Sequence, residues 1–149
     1  MTIPADLQAL FLNENEIPAE FQIKAPVCQS EFLINGELRE WDGPAQEVFS
    51  PVYLQTASGL APKYLGSYPL LSTEIVLEAL NAAVKAYNNG KGTWPTMPVA
   101  ERIHSMQEFA YRMKAEKAEV VKLLMWEIGK SYQDSAKEFD RTVDYICAT

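Results

Sequence analysis

Beyond Leu71 the spacing of apolar residues changes from two to 3.6, the mark of a passage from strands to helices. Val76, Leu80, Ala83 and Tyr87 form one stripe. Ser72-Thr73-Glu74 opens it with a capping hydroxyl and an acid where the helix dipole favours one. Asn88, Asn89 and Gly90 close it. Pro98 suits the first turn of a second helix with the stripe Ile103, Met106, Ala110 and Met113. The phase slips near Lys114–Glu116, a new stripe follows through Val120, Leu124 and Ile128, and Gly129 is its stop. A last helix from Ser131 packs Ala136, Phe139, Val143 and Ile146. Before Leu71 the pattern favours strands. Phe32-Leu33-Ile34-Asn35-Gly36-Glu37-Leu38 predicts a hairpin, because Asn-Gly fits the two positive-φ positions of a type I′ turn. Short strands are expected at Glu47–Phe49 and Lys63–Tyr68, limited by Pro51 and Pro69, with a loop from Gln55 to Pro62. Residues 1–31 read as an irregular arm broken by Pro4, Pro18 and Pro26, with one helical turn from Asp6 to Leu12. Leu7, Leu10 and Phe11 on one side of that turn suggest a cover, not a core element. The expected class is α+β: a small N-terminal β hairpin or sheet (residues 32–71), then about four amphipathic helices (residues 72–149).

Charge sharpens this division. The 149 residues carry a net charge of −7. The first fifty hold nine acidic residues against Lys24 and Arg39, and the remainder balances. An acidic front argues against nucleic acid, which needs clustered Lys and Arg, and gives an anionic membrane nothing to hold. No apolar run approaches the length of a membrane span, and no signal peptide opens the chain. Cys28 and Cys147 form no metal or redox spacing, so a reduced, cytoplasmic protein is the expectation. The final helix runs into Tyr145-Ile146-Cys147-Ala148-Thr149 with no Gly, Asn or Pro to cap it. That pattern predicts the first part of a longer chain. Helix faces shaped for missing partners would then favour self-association.

Few residues offer chemistry. Gly90-Lys91-Gly92-Thr93 lacks the strand and the first glycine of a phosphate loop, and reads as a helix stop and turn. No G-x-G-x-x-G is present. His104, the only histidine, has no partner at ligand or triad spacing and is expected to be half-buried and structural. Cys147 reads as a packing residue. Glu127, Asp134, Glu138, Asp140 and Asp144 read as solvated helix charges, with Glu138 and Asp144 each three residues from Arg141. Arg141 stands out: two positions from Phe139, it points about 200° away from the apolar stripe. It is either a surface arginine in weak ion pairs or a residue facing a site.

From Phe32 onward the order of motifs resembles the opening of an aldehyde dehydrogenase. The pieces are Phe32 to Leu38, Ser50-Pro51, Leu65-Gly66-Ser67-Tyr68-Pro69, Ser72-Thr73-Glu74-Ile75-Val76, Ala82-Ala83, Trp94, Arg102 and Glu127-Ile128-Gly129-Lys130. Residues 32–149 would then be the N-terminal part of a cofactor-binding domain, the opening of that family's α/β fold. Glu138-Phe139-Asp140-Arg141-Thr142-Val143 resembles the branch of NADP-dependent, non-phosphorylating glyceraldehyde-3-phosphate dehydrogenases, in which an arginine here helps hold the substrate phosphate. The resemblance implies an oxidoreductase with a small aldehyde substrate, NADP, a homo-oligomeric state and Arg141 as a substrate-binding residue. In that family a cysteine thiolate attacks the aldehyde, hydride leaves to the nicotinamide, and water activated by a glutamate releases the acid. The residues for those steps lie later in the family's sequence. No catalytic, cofactor-binding or metal residue is therefore assigned here, and this chain alone is expected to be inactive and cofactor-free. The rival expectations are an independent helical interaction module and another aldehyde dehydrogenase branch.

Overall fold

The computed structural model describes residues 4–148. Its elements are α1 (Ala5–Gln8), β1 (Val27–Cys28), β2 (Glu31–Ile34), β3 (Glu37–Glu40), β4 (Ala45–Thr56), β5 (Gly59–Pro69), α2 (Thr73–Tyr87), α3 (Thr93–Thr96), α4 (Val99–Ala115), α5 (Lys117–Ile128) and α6 (Tyr132–Ala148). Single 3-10 turns fall at Glu14–Glu16, Ala19–Phe21 and Asn88–Gly90. This is the expected α+β order. Thr149, the last residue of the expected final helix, lies outside the described residues.

The predicted hairpin forms. β2 and β3 pair antiparallel around Asn35 (φ 54°) and Gly36 (φ 83°), both in the left-handed region that a type I′ turn demands. The next two strands are far longer than their prolines suggest. β4 and β5 pair from Ala45↔Pro69 to Thr56↔Gly59, so the expected loop from Gln55 to Pro62 is a tight hairpin. Thr56 builds the turn: its Oγ1 donates to the Gly59 carbonyl (2.6 Å) and accepts from the Ser58 amide (3.3 Å). Pro51 does not end β4, because the register slips between Phe49 and Tyr53 and the proline sits where the ladder is already interrupted.

A third strand was not visible in the pattern. β1, two residues long, runs parallel to β5 with Val27 opposite Gly66, giving the order β1-β5-β4. Gly66 is what permits this approach: it is buried at φ 147°, and a Cβ there would lie 2.0 Å from the Val27 carbonyl oxygen.

The core has two parts. Ile23, Leu54, Leu65 and Trp126 are buried together between arm, sheet and α5, with Ile17, Val48 and Leu123 against them. Ala110, Val121, Phe139 and Val143 are buried between α4, α5 and α6, supported by Met113, Val120, Ala136 and Ile146. The stripe expected on α6 is thus the buried one. On α5 the expectation shifts: Val121 and Trp126 are the buried residues, and Ile128 is exposed. A helix packed on two sides has no single stripe, so periodicity singles out a false one.

Ile23 also makes the arm a contributor to the core, where the sequence suggested a cover. Several bonds fasten it. Trp126 Nε1 donates to the Phe21 carbonyl (2.6 Å), and the Phe21 ring lies 5.8 Å from that of Tyr132. The Gln55 amide donates to the Leu12 carbonyl (3.0 Å), and Gln55 Nε2 to the Gln8 carbonyl (2.6 Å). Lys63 pairs with Glu14 and rests over the Trp126 ring, 5.6 Å from its centre. Ser50, buried in β4, donates to the Trp126 carbonyl and so joins the sheet to α5.

α2 forms with the expected signals: Ser72 Oγ accepts from the Ile75 amide (3.5 Å), and Asn88 and Asn89 end it in the left-handed region. None of its residues is buried. Arg39 of β3 holds it through both nitrogens of its fork, Nη1 to Glu78 Oε2 (3.1 Å) and Nη2 to Oε1 (2.7 Å).

Candidate anion site on the last helix

Ser131 stands just before α6, and its Oγ accepts from the Asp134 amide (3.2 Å) in the helix's first turn. Burial of Phe139 and Val143 fixes its rotation, and Arg141 therefore faces solvent. Lys137 stands one turn before Arg141 and Tyr145 one turn after, both exposed. Two of the carboxylates beside Arg141 are engaged elsewhere. Asp140 takes Lys117 Nζ on both oxygens (2.6 and 2.8 Å), and Glu138 takes Lys130 at the α5–α6 junction. Glu138 and Asp144, each three residues from Arg141, do not pair with it, and among the described residues Arg141 forms no salt bridge. A guanidinium offers five donors in a planar fork that matches phosphate or carboxylate oxygens. With Lys137 beside it, this face is suited to receive an anion. Lys137 was not singled out in the sequence, although its i−4 spacing from Arg141 was there to be read.

The other candidates separate from this face. The Gly90–Thr93 turn is a helix stop, as its sequence suggests. The Lys91 amide donates to the Asn88 carbonyl and the Gly92 amide to the Tyr87 carbonyl (both 3.0 Å), so neither is left to cradle a phosphate. A Cβ on Gly92 would meet the Ala86 carbonyl oxygen at 1.7 Å, so the turn has room only for glycine there.

His104 departs from expectation. It is exposed on α4 beside Met97, Ala100 and Glu101, since α4 turns that side away from α6. Cys147 is exposed too, where a packing role was expected, because Phe139, Val143 and Ile146 occupy the inner face of α6. Cys28 lies 3.6 Å from the Tyr64 hydroxyl, and this contact pushes the phenol above its ordinary value. Among the described residues no group of three metal-binding side chains comes together, and no helix is long and apolar enough to cross a membrane.

Comparison with known proteins places the chain in a class of dehydrogenases. Residues 50–149 match the aldehyde dehydrogenase family, and the chain belongs to it. It is similar to a malonate-semialdehyde dehydrogenase of Pseudomonas aeruginosa, 30% identical over 119 residues, which covers 78% of this chain and 22% of that protein. It is also similar to malonate-semialdehyde dehydrogenase 1 of Geobacillus kaustophilus, 27% identical over 93 residues, or 62% of this chain and 18% of the relative. The chain thus spans about a fifth of the length of these curated relatives. A crystal structure of an NAD-dependent aldehyde dehydrogenase from Sinorhizobium meliloti shares the fold, with a TM-score of 0.72 at 24% identity over 94% of this chain and 26% of that one.

Proposed function

We propose that this chain is one part of a nicotinamide-dependent enzyme that oxidises a small aldehyde bearing an anionic group, and that Arg141 receives that group. The observation that carries the reading is an exposed arginine on a family-matched helix that makes no salt bridge among the described residues, with Asp140 and Glu138 beside it paired to lysines. Two substrates satisfy it. Glyceraldehyde 3-phosphate, with NADP as acceptor, is the reading that the run Glu138 to Val143 supports. A carboxylate-bearing semialdehyde is the reading that the relatives' names support. Both anions suit a guanidinium fork better than a lysine point charge.

Within the proposal this chain supplies orientation and charge, not bond-making. A nicotinamide, held by other parts of the enzyme, would supply the hydride acceptor. Arg141 fixes the far end of the aldehyde, which turns its carbonyl into a defined position and lowers the entropy cost of reaction. The homo-oligomeric state and the cytoplasmic location expected from the sequence belong to the same proposal.

The test has two arms. The 149-residue chain, mixed with either aldehyde and with NAD or NADP, should show no turnover. In the enzyme that carries this segment, Arg141→Ala should cut kcat/KM for the anionic aldehyde by roughly ten- to 150-fold, from the loss of a charge-assisted bond of about 1.5–3 kcal/mol. A neutral aldehyde of the same size should lose less than about twofold. Equal losses for both would remove Arg141 from the substrate's anion.

A further inference from the structure

An arginine on a helix seldom lacks a partner when a glutamate stands three residues before it. That spacing, with the acid nearer the N-terminus, is the order in which a helical ion pair forms best. Glu138 and Arg141 have it. The carboxylate nonetheless turns the other way, to Lys130, and each side chain of that pair is 39% exposed. The geometry of the chain decides this. Gly129, left-handed at φ 67°, turns the backbone out of α5 and delivers Lys130 next to it. Phe139, beside Glu138, is 2% exposed in the core shared with α4 and α5, so the rotation of α6 under Glu138 is fixed.

The other acids near Arg141 compete less well. Asp140 follows the same pattern as Glu138, since Lys117 of α5 takes both its oxygens. Asp144 makes no salt bridge among the described residues. It lies three residues beyond Arg141, in the less favoured order of acid after base, and its side chain is one methylene shorter than a glutamate's. Glu138 is therefore the carboxylate best placed to occupy the guanidinium, and Lys130 is what occupies Glu138.

We propose that Lys130 is a positioning residue for substrate selection: by holding Glu138 it keeps the Arg141 fork open to the anionic end of the aldehyde. This rests on the reading of Arg141 as the group that receives that anion. Lys130 itself touches no substrate. Without it, Glu138 is released to pair with Arg141 and to repel an arriving anion. Each effect is that of one helical charge pair, about 1.4- to 2.3-fold, and together they make about two- to fivefold.

Steady-state kinetics on the enzyme that carries this segment test the idea, with glyceraldehyde 3-phosphate and malonate semialdehyde as anionic probes and propionaldehyde as the neutral one. Lys130→Met should raise KM for the anionic aldehyde that the enzyme turns over about two- to fivefold, with kcat and the propionaldehyde constants unchanged. The double variant Lys130→Met/Glu138→Gln should return that KM to its starting value. An ion pair that served stability alone would stay broken in the double variant, and KM would stay raised. In the 149-residue chain, the Arg141 Nε–H resonance should move in Lys130→Met and move back in the double variant. The reading of Arg141 is judged separately by Arg141→Ala: equal losses for anionic and neutral aldehydes would remove it and the role of Lys130 with it. Where Arg141→Ala does separate the two aldehydes, an unchanged KM in Lys130→Met, or a double variant that is not restored, would overturn the role of Lys130 alone.

Discussion

Trp126 ties three elements together, and replacing it with phenylalanine probes that knot. The indole is 6% exposed, among Ile23, Leu54 and Leu65. Its N–H spans 105 positions of sequence to reach the Phe21 carbonyl at 2.6 Å. Trp126→Phe removes the donor and leaves that carbonyl unpaired in a part-buried place, which costs about 1–3 kcal/mol. The smaller ring adds a packing loss of about 1 kcal/mol, well short of the 3–5 kcal/mol typical of full truncation to alanine. The sum, about 2–4 kcal/mol, is a sizeable share of the stability of an ordinary domain. Trp41→Phe is the matched control. Trp41 Nε1 also donates to a carbonyl, that of Pro44 at 2.7 Å, but within a local turn three residues apart. That bond joins no distant segments, so about 1 kcal/mol or less is expected. Urea titration followed by circular dichroism measures both variants. Limited chymotrypsin digestion adds the location, since Leu10, Phe11, Leu12 and Phe21 should be cut faster in Trp126→Phe alone. Equal losses in the two variants, or an arm no easier to cut, would show that the bond to Phe21 does not hold the arm.

Two further outcomes follow from the polar groups. Glu78 is held below its ordinary carboxylate value of 4.5, first by its hydrogen bond to Arg39. A lowered folded-state value means stability that is present above the unfolded value and lost as pH falls through the folded one. The hold on α2 should therefore loosen below about pH 4.5, and Arg39→Gln should raise the Glu78 midpoint in a carbon-detected NMR titration; an unmoved midpoint would exclude the pairing in solution. Ser135, at 0% exposure, has a buried hydroxyl without a partner among the described residues, and it stands in a helix. Ser135→Ala should stabilise the chain by about 1 kcal/mol, seen as a melting temperature roughly 2–4 °C higher; a lower one would mean the hydroxyl has a bond after all.

The elements that were legible in the sequence are those whose signals are local. Asn35-Gly36 requires positive φ whatever surrounds it, and Ser72 needs only the amide three residues on. The α6 stripe was legible because that helix buries one face only, Phe139 and Val143. Features made by distant partners were not. Nothing near Val27 announces that Gly66 will lie beside it, and nothing in Trp126 announces the Phe21 carbonyl. Pro51 was misleading for the same reason, since its cost depends on a register slip that only the pairing of β4 with β5 creates. At the candidate site, Arg141's outward direction followed from helix geometry. Its freedom from Glu138 did not, because Lys130 reaches that acid from across a turn.

The two substrate readings are less opposed than their names suggest. A guanidinium fork satisfies two oxygens, and both a carboxylate and a phosphate present two. In the proposed role, Arg141 would therefore report that a substrate is anionic without reporting which anion it carries. Discrimination has to come from what lies beyond the shared pair of oxygens. A phosphate brings a third oxygen and close to a second charge, and it gains from another cation nearby. A carboxylate gains nothing comparable and is better served by a tighter, drier surround. Lys137, one turn from Arg141 and exposed, is a cation of the first kind. Tyr145, one turn to the other side, is a bulky group of the second. If Arg141 receives the substrate's anion as proposed, the choice between phosphate and carboxylate would rest on which of these two neighbours the bound aldehyde meets.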